Sequence, residues 1–255
     1  GTGLVVKPYL ASGPGDAARR CDFEVVDKVT LQSEGTVSDG DATCPYSDCG
    51  RFIDGSVIKE QAQSGAMGDQ LISVAYKDEI PTITKAGKRG RSKWVRGYRA
   101  PLEADNNIEH VLQLLEGKSE DWGALDIVPN EKIGDPSNYD RGHRLYGMNY
   151  WRDMFAPRQL LCHGLNVETY REIWEEEQSA ELSELRRAAF VYLALSLDKL
   201  TAYNARSSMW DNTTGRIRQV FSNHNFSMSW SYAEFAACGT GGGLEWVFEQ
   251  TSGAI

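Results

Sequence analysis

The chain has 255 residues, of which 41% are hydrophobic, with a net charge of −9 at pH 7 and five cysteines. That length fits one large or two small domains, with enough apolar residues for a core. No apolar run approaches the length of a transmembrane helix, and no basic flank precedes an apolar stretch near Gly1, so neither a membrane span nor a signal peptide is expected. Cys21, Cys44, Cys49, Cys162 and Cys238 are odd in number and unevenly spaced, which argues against a secreted disulfide framework and for a cytoplasmic protein with reduced thiols.

In chain order, Gly3 to Tyr9 is a short apolar run with strand character, and 11–18 is a Gly/Pro/Asp-rich loop. From Cys21 to Leu31, Phe23, Val25, Val29 and Leu31 alternate with polar residues, the period of a strand. Gly35 to Asp41 reads as a turn, Cys44 to Gly50 as a knuckle, Ser56 to Gly65 as an ambiguous short helix, and Leu71 to Tyr76 as a strand. A basic strip with Gly87, Gly90 and Gly97 follows and reads as flexible. Ile108, Val111, Leu112 and Leu115 then adopt helical spacing up to a stop at Gly117, and Asp121 to Arg144 reads as a long loop. Tyr146, Tyr150, Trp151 and Phe155 form an aromatic plug ahead of Pro157, a residue tolerated in the first turn of a helix because its missing N–H has no partner there. One helix is expected from Pro157 to Glu177 and another from Ala180 to Tyr203, with Ala188 to Leu197 apolar nearly all round and so buried. Ile217 to Phe221 is a short helix or strand, Phe226 to Phe235 alternates as a strand, and Gly239 to Gly243 is a linker or turn. The expected fold is α+β: a small β-rich part with a Cys knuckle over 1–101, then a mainly α-helical part over 102–255.

The strongest local signal is electrostatic. Lys85, Lys88, Arg89, Arg91, Lys93, Arg96 and Arg99 lie within 82–101 with no acid among them, so the rest of the chain carries −16. A basic strip on an acidic protein is expected where phosphates are held at one place and repelled elsewhere. Trp94 and Tyr98 are interleaved with the cations, and rings can stack on an unpaired base; the plainer reading is a solvated loop. Cys44 and Cys49, separated by four residues and beside a Pro and a Gly, suit half of a tetrahedral zinc site, but no second Cys pair exists and the nearest substitute is Cys21. The alternative is a hairpin whose thiols are free or oxidised to each other. His110, His143, His163 and His224 are scattered and read as surface or packed residues. Asp211, Asn212 and Glu234 sit among aromatics, where structural hydrogen bonding is the first reading and a cleft lining the second.

Several blocks carry a resemblance in consistent order: Ala42-Thr-Cys-Pro-Tyr-Ser-Asp-Cys-Gly50, then Ile58-Lys59 and Gly65 to Leu71, Gly97-Tyr-Arg-Ala-Pro101, Tyr146 to Leu161, Leu193 to Leu200 with Tyr203, Asn204 and Trp210, and Met228 to Glu234. Together they resemble a middle section of the adenine-specific DNA methylases that carry a zinc ribbon, large proteins found beside phage-defence and restriction-modification genes. The resemblance covers about Thr43 to Glu234. It implies that the whole enzyme binds S-adenosylmethionine, flips an adenine and methylates it. A Phe-x-Gly-x-Gly cofactor loop and an Asp/Asn-Pro-Pro-aromatic motif are both missing here, and no Pro-Pro pair occurs anywhere. The resemblance therefore implies an insert that is not catalytic alone. It implies target recognition of DNA through Lys85, Lys88, Arg89, Arg91, Lys93, Trp94, Arg96, Tyr98 and Arg99. It further implies that the rest of the methyltransferase chain is a partner and that Cys44 and Cys49 form half of a knuckle whose partner pair lies upstream. Two other classes stay open: a non-enzymatic scaffold for defence proteins, docking through the helical part, and a free-standing metal-binding module.

Overall fold

The computed structural model describes residues 3–10, 19–134, 142–178, 183–222, 228–238 and 243–253, with side-chain burial described from Cys21 onward. The fold is α+β, with an N-terminal strand region and a helical C-terminal part. The chain divides into two compact units: 1–60 with 68–107, and 61–67 with 108–255.

The first unit is built from antiparallel hairpins. β1 (Gly3–Leu10) pairs along its full length with β2 (Arg19–Val26), from Gly3↔Val26 to Leu10↔Arg19. The strand expected to run to Leu31 ends at Val26, and residues 29–31 form a single 3-10 turn with no buried residue, so nothing rewards extending the ladder. β3 (Val37–Ser38), β4 (Asp41–Thr43) and β5 (Phe52–Ile53) form a small sheet in that order. α1 (Gly55–Gln63) is started by Asp54, whose carboxylate accepts from Ser56 N at 2.8 Å and replaces an otherwise orphan partner of the first turn. β6 (Val74–Ile80) pairs with β7 (Lys93–Arg99), so the strand expected over 71–76 begins three residues later, and the part of the strip from Lys93 to Arg99, expected to be flexible, is a ladder strand.

The second unit is helical. α2 (Ile108–Ala124) runs straight through Gly117. Val111, Leu115 and Trp122 keep one face apolar, and Trp122 is 1% exposed; a solvent-facing helical glycine costs only about 1 kcal/mol, less than burying that ring returns. The expected long loop over 121–144 thus begins with helix and contributes buried Ile127 and Ile133; residues 135–141 of it lie outside the described residues. α3 (Gly142–Leu145) is one turn.

The aromatic plug is not what is buried: Tyr150 and Trp151 are exposed, while Met148, Met154 and Ala156 are buried. Met148, Met154 and Ile133 cluster with Met67, Phe155 and Met228, where flexible thioethers fill an irregular space. α4 (Pro157–Gln178) begins with Pro157 as expected, and buried Gln159 closes its start by accepting from Ala156 N at 2.8 Å. α4 crosses α2 at Gly164, where an added Cβ would fall 2.2 Å from the Trp122 ring. Glu168 ties the same helices, accepting from Trp122 Nε1 at 3.1 Å and Lys118 Nζ at 2.8 Å.

α5 (Glu184–Tyr203) is capped by Ser183; the expected start at Ala180 lies outside the described residues. Its middle is not buried all round as expected. Phe190, Ser196 and Leu200 face inward, whereas Val191 and Leu195 are exposed. β8 (Met209–Asp211) and β9 (Arg216–Arg218) form a hairpin whose first strand was not anticipated. Of the strand expected over 226–235, residues 226–227 lie outside the described residues and 228–235 are irregular, with Ala233 N bonded to Ser208 O instead of to a strand. α6 (Leu244–Ser252), also unanticipated, packs on α5 through Val247 and the edge-to-face Tyr203–Trp246 pair at 5.1 Å. Within the Gly239–Gly243 run only Gly243 is described; it is buried against Ala237, which leaves no room for a side chain.

Candidate nucleic-acid interface

Every residue of the basic strip lies on the β6–β7 ribbon. Seven paired positions run from Val74↔Arg99 to Ile80↔Lys93. The ladder stops there because Pro81 has no N–H to donate. Pairing resumes at Ile83↔Arg89, so Pro81 and Thr82 oppose Gly90, Arg91 and Ser92. That extra residue is a bulge, stitched by Gly90 N to Thr82 O at 2.7 Å and Thr82 Oγ1 to Arg91 O at 2.5 Å. The end is closed by Gly87 N to Thr84 O at 2.9 Å and Thr84 N to Lys88 O at 2.8 Å. Gly87 has φ +74°, as a three-residue hairpin loop requires at its last position. Gly97 has a different use: an added Cβ would lie 2.3 Å from Tyr76 Cζ, so the ring of Tyr76 covers the glycine opposite it.

This geometry sorts the candidate residues. Lys85, Lys88, Arg89 and Arg91 occupy the tip, beyond the ladder and without an acid among them. Along the ladder, side chains alternate between faces and directly opposed residues share one. Lys93, Val95, Gly97 and Arg99 therefore share a face with Ile80, Asp78, Tyr76 and Val74. Trp94, Arg96 and Tyr98 share the other with Glu79, Lys77 and Ala75. The strip that contains no acid in sequence thus meets Asp78 and Glu79 across the ladder. Arg99 is engaged within the protein: its Nη1 and Nη2 reach the two oxygens of Asp105 at 2.5 and 2.8 Å. Those bonds, with Leu102 N–H, hold the Asp105 carboxyl down to about 2, and the same carboxylate raises the Arg99 guanidinium. Trp94 is 63% exposed, and Tyr98 is half-buried. Lys77, outside the strip in sequence, lies directly opposite Arg96; a hairpin reading of Thr84-Lys-Ala-Gly-Lys88 would have placed it there.

Cys44 and Cys49 lie at the end of the β4–β5 hairpin. Cys44 N donates to Arg51 O at 2.9 Å, one step beyond the last ladder pair, and Cys49 N and Gly50 N both donate to Tyr46 O. Gly50 takes φ +56°, which lets the chain turn back. Neither cysteine is in a disulfide, and the Cys21 thiol contacts the Tyr46 hydroxyl at 3.8 Å. Among the described residues no group of three or more His, Cys, Asp or Glu is placed to hold a metal ion.

In the second unit, Glu234 accepts from Arg158 Nε at 2.5 Å. Asp211 accepts from Thr213 N, Thr214 Oγ1 and Arg218 Nε at 2.9 to 3.2 Å, and these bonds, led by the Thr213 N–H, hold its carboxyl at about 2. Exposed Asn212 belongs to the loop that Asp211 closes. His163 bonds the Asn204 carbonyl at 2.9 Å, and burial lowers its pKa. Burial pushes the Cys162 thiol up to about 11, which leaves it protonated and unreactive. His110 is exposed and His143 is buried with neither ring nitrogen hydrogen-bonded; His224 lies outside the described residues.

Compared with known proteins, the chain matches no family model, no curated protein and no solved structure. No helix among the described residues is long and apolar enough to cross a membrane.

Proposed function

We propose that this chain is the DNA-recognition insert of an S-adenosylmethionine-dependent adenine-N6 DNA methyltransferase, not catalytic alone, and that it grips DNA with the tip of the β6–β7 ribbon. The observation that carries this reading is the concentration of Lys85, Lys88, Arg89 and Arg91 on a closed turn without an acid, on a chain of net charge −9. A cationic tip on an acidic body attracts a polyanion at one end and repels it elsewhere. Methyl transfer and cofactor binding belong, in this reading, to the remainder of the methyltransferase. Zinc would need ligands beyond Cys44 and Cys49, supplied by the same remainder.

Changing Arg89, Arg91 and Lys93 together to Ala should weaken DNA binding about equally across sequences, since phosphate contacts carry no sequence information. Each lost contact should lower the slope of log K against log salt by about one on duplex. Binding by the wild-type chain should fall in the non-specific range, roughly 10⁻⁴ to 10⁻⁶ M at physiological salt. The reading fails if wild type shows no salt-sensitive DNA binding at low ionic strength, or if the triple variant binds as well.

A second reading, a scaffold that docks other defence proteins, is favoured by α5, where Leu185, Val191 and Leu195 are 52 to 81% exposed. Salt separates the two. A helix-face interface driven by apolar burial would persist at ionic strengths that release DNA.

A further inference from the structure

We propose that Ile83, at the tip of the ribbon, is an apolar wedge that enters the minor groove of duplex DNA and unstacks one base step, so that the chain bends the duplex it holds. The wedge rests on the DNA-recognition reading and gives the tip a mechanical task.

The turn chemistry sets which way Ile83 points. Thr82 and Thr84 flank it, and both hydroxyls are used within the turn. Thr82 Oγ1 donates to Arg91 O at 2.5 Å, and Thr84 Oγ1 accepts from Lys88 N at 3.2 Å. Successive side chains on an extended chain alternate, so Ile83 points away from its two neighbours. It is 78% exposed, more than any other large apolar side chain described in the first unit. A preference for a β-branched residue does not account for it, because threonine meets that preference on either side without placing an apolar group in water.

The surroundings identify the occupant. Ile83 is paired with Arg89, and the bonds Thr84 N to Lys88 O and Gly90 N to Thr82 O enclose the pair. Ile83↔Arg89 is therefore a non-hydrogen-bonded pair, the kind in which opposed side chains stand closest. Arg89 is carried beside the isoleucine, and exposed Lys85, Lys88 and Arg91 complete the tip. An apolar groove on a protein would take the isoleucine and leave these cations unmatched. Duplex DNA matches both, with phosphates outside and an apolar slot between base pairs. Carbon atoms meet at about 3.5–4.0 Å, and base pairs are spaced about 3.4 Å apart, so one aliphatic side chain fills one opened step. Proteins that kink DNA from the minor groove insert side chains of this class, isoleucine among them. Unstacking is unfavourable; burial of Ile83 and the phosphate contacts of the flanking cations offset it.

A wedge also supplies selectivity that phosphate contacts lack. Pyrimidine–purine steps open more readily than the stiff steps of an A-tract, so Ile83 reads deformability without touching a base edge.

The test uses the 255-residue chain and short duplexes labelled at both ends, with resonance energy transfer read at saturating protein and low salt. Wild type should bend the duplex by about 20–90°, and further on a central TA step than on an A-tract. Ile83→Ala should remove most of the bend, and Ile83→Leu should keep it. The slope of log K against log salt should be unchanged in Ile83→Ala, since no phosphate contact is lost, whereas Lys88→Ala should lower it by about one and keep the bend. Melting curves of the three variants should match wild type, because Ile83 and Lys88 are exposed. The wedge is overturned if wild type binds the duplex with the expected salt dependence and leaves it straight, or if Ile83→Ala bends it as far as wild type. It is also overturned if wild type binds phosphatidylserine vesicles more tightly than the duplex and Ile83→Ala abolishes only that binding, since Ile83 would then serve a membrane surface. Absence of any salt-sensitive DNA binding by wild type would instead sink the DNA-recognition reading itself.

Discussion

In the second unit, Trp122, Leu200 and Val247 are at most 1% exposed, and helices close over them on several sides; in the first unit no described side chain of an apolar residue is buried, and the chain is held by hairpin ladders, a knuckle turn and the Arg99–Asp105 pair. The two solve the same problem of backbone hydrogen bonding with different rewards. Helices satisfy their own amides and leave side chains free to build a core. Two-stranded hairpins satisfy half of theirs and are marginal in isolation. The region with the lesser burial opens at lower free energy, and binding surfaces are drawn from such regions. The proposed DNA contacts fall on the hairpins, where side chains are exposed and charged.

The largest test of this contrast is Leu200→Asp, which buries an unpaired charge among the helices and should abolish cooperative melting by circular dichroism. Leu193→Asp, only half-buried on the same helix, should still fold, with a lowered midpoint. If both variants fold equally well, the core does not lie where α5 meets α6. Next in size is Trp122→Ala, expected to cost about 3–5 kcal/mol in denaturant titration. Gly164→Ala should follow at about 1–3 kcal/mol, because the new methyl strikes the Trp122 ring; the double variant should recover part of the loss, since the first change vacates the space.

A smaller and local effect is expected at the ribbon tip. Gly87→Ala forces a side chain into left-handed backbone, at about 1–2 kcal/mol. Amide exchange should speed at Thr84 and Gly90, whose bonds close the turn, while Leu200 keeps its protection. Faster exchange at Leu200 would show that the ribbon and the helices melt as one.

The smallest effect concerns acid. Asp105 has a folded pKa of about 2, below the usual value near 3.9 in an unfolded chain. Its stabilising effect is therefore present above about pH 4 and is lost as pH falls from there through about 2. A nuclear magnetic resonance titration should show the Leu102 amide, which donates to Asp105, moving only below pH 4, and Asp105→Asn should remove that movement. An Asp105 midpoint near 4 would mean that Arg99 is not held and is available to a ligand.

Much of the helical unit was legible. Pro157 announced the start of α4, and the apolar spacing from Leu160 to Trp174 carried it to its end. The mistakes have physical causes. Gly117 was read as a stop, yet it is a solvent-facing glycine inside a helix whose next inward residue is Trp122. Val191 and Leu195 were expected to be buried because composition does not tell which faces of α5 meet α4 and α6. Phe226 to Phe235 alternates like a strand, but no neighbouring edge pairs with its described part. In the ribbon, three glycines suggested flexibility, whereas Gly87 closes a turn and Gly97 accepts the Tyr76 ring.

The sequence by itself determined the α+β division and the cationic strip, because local composition and periodicity suffice for these. Only the tertiary structure decided which cations share a face. A ladder register joins residues some twenty positions apart, so Lys77 became the neighbour of Arg96, Glu79 of Trp94 and Tyr76 of Gly97. The same folding took Arg99 out of the strip by bringing Asp105 against it. Charge along a chain is a one-dimensional property, but a phosphate is held by side chains that share a face, and pairing between strands assigns the faces.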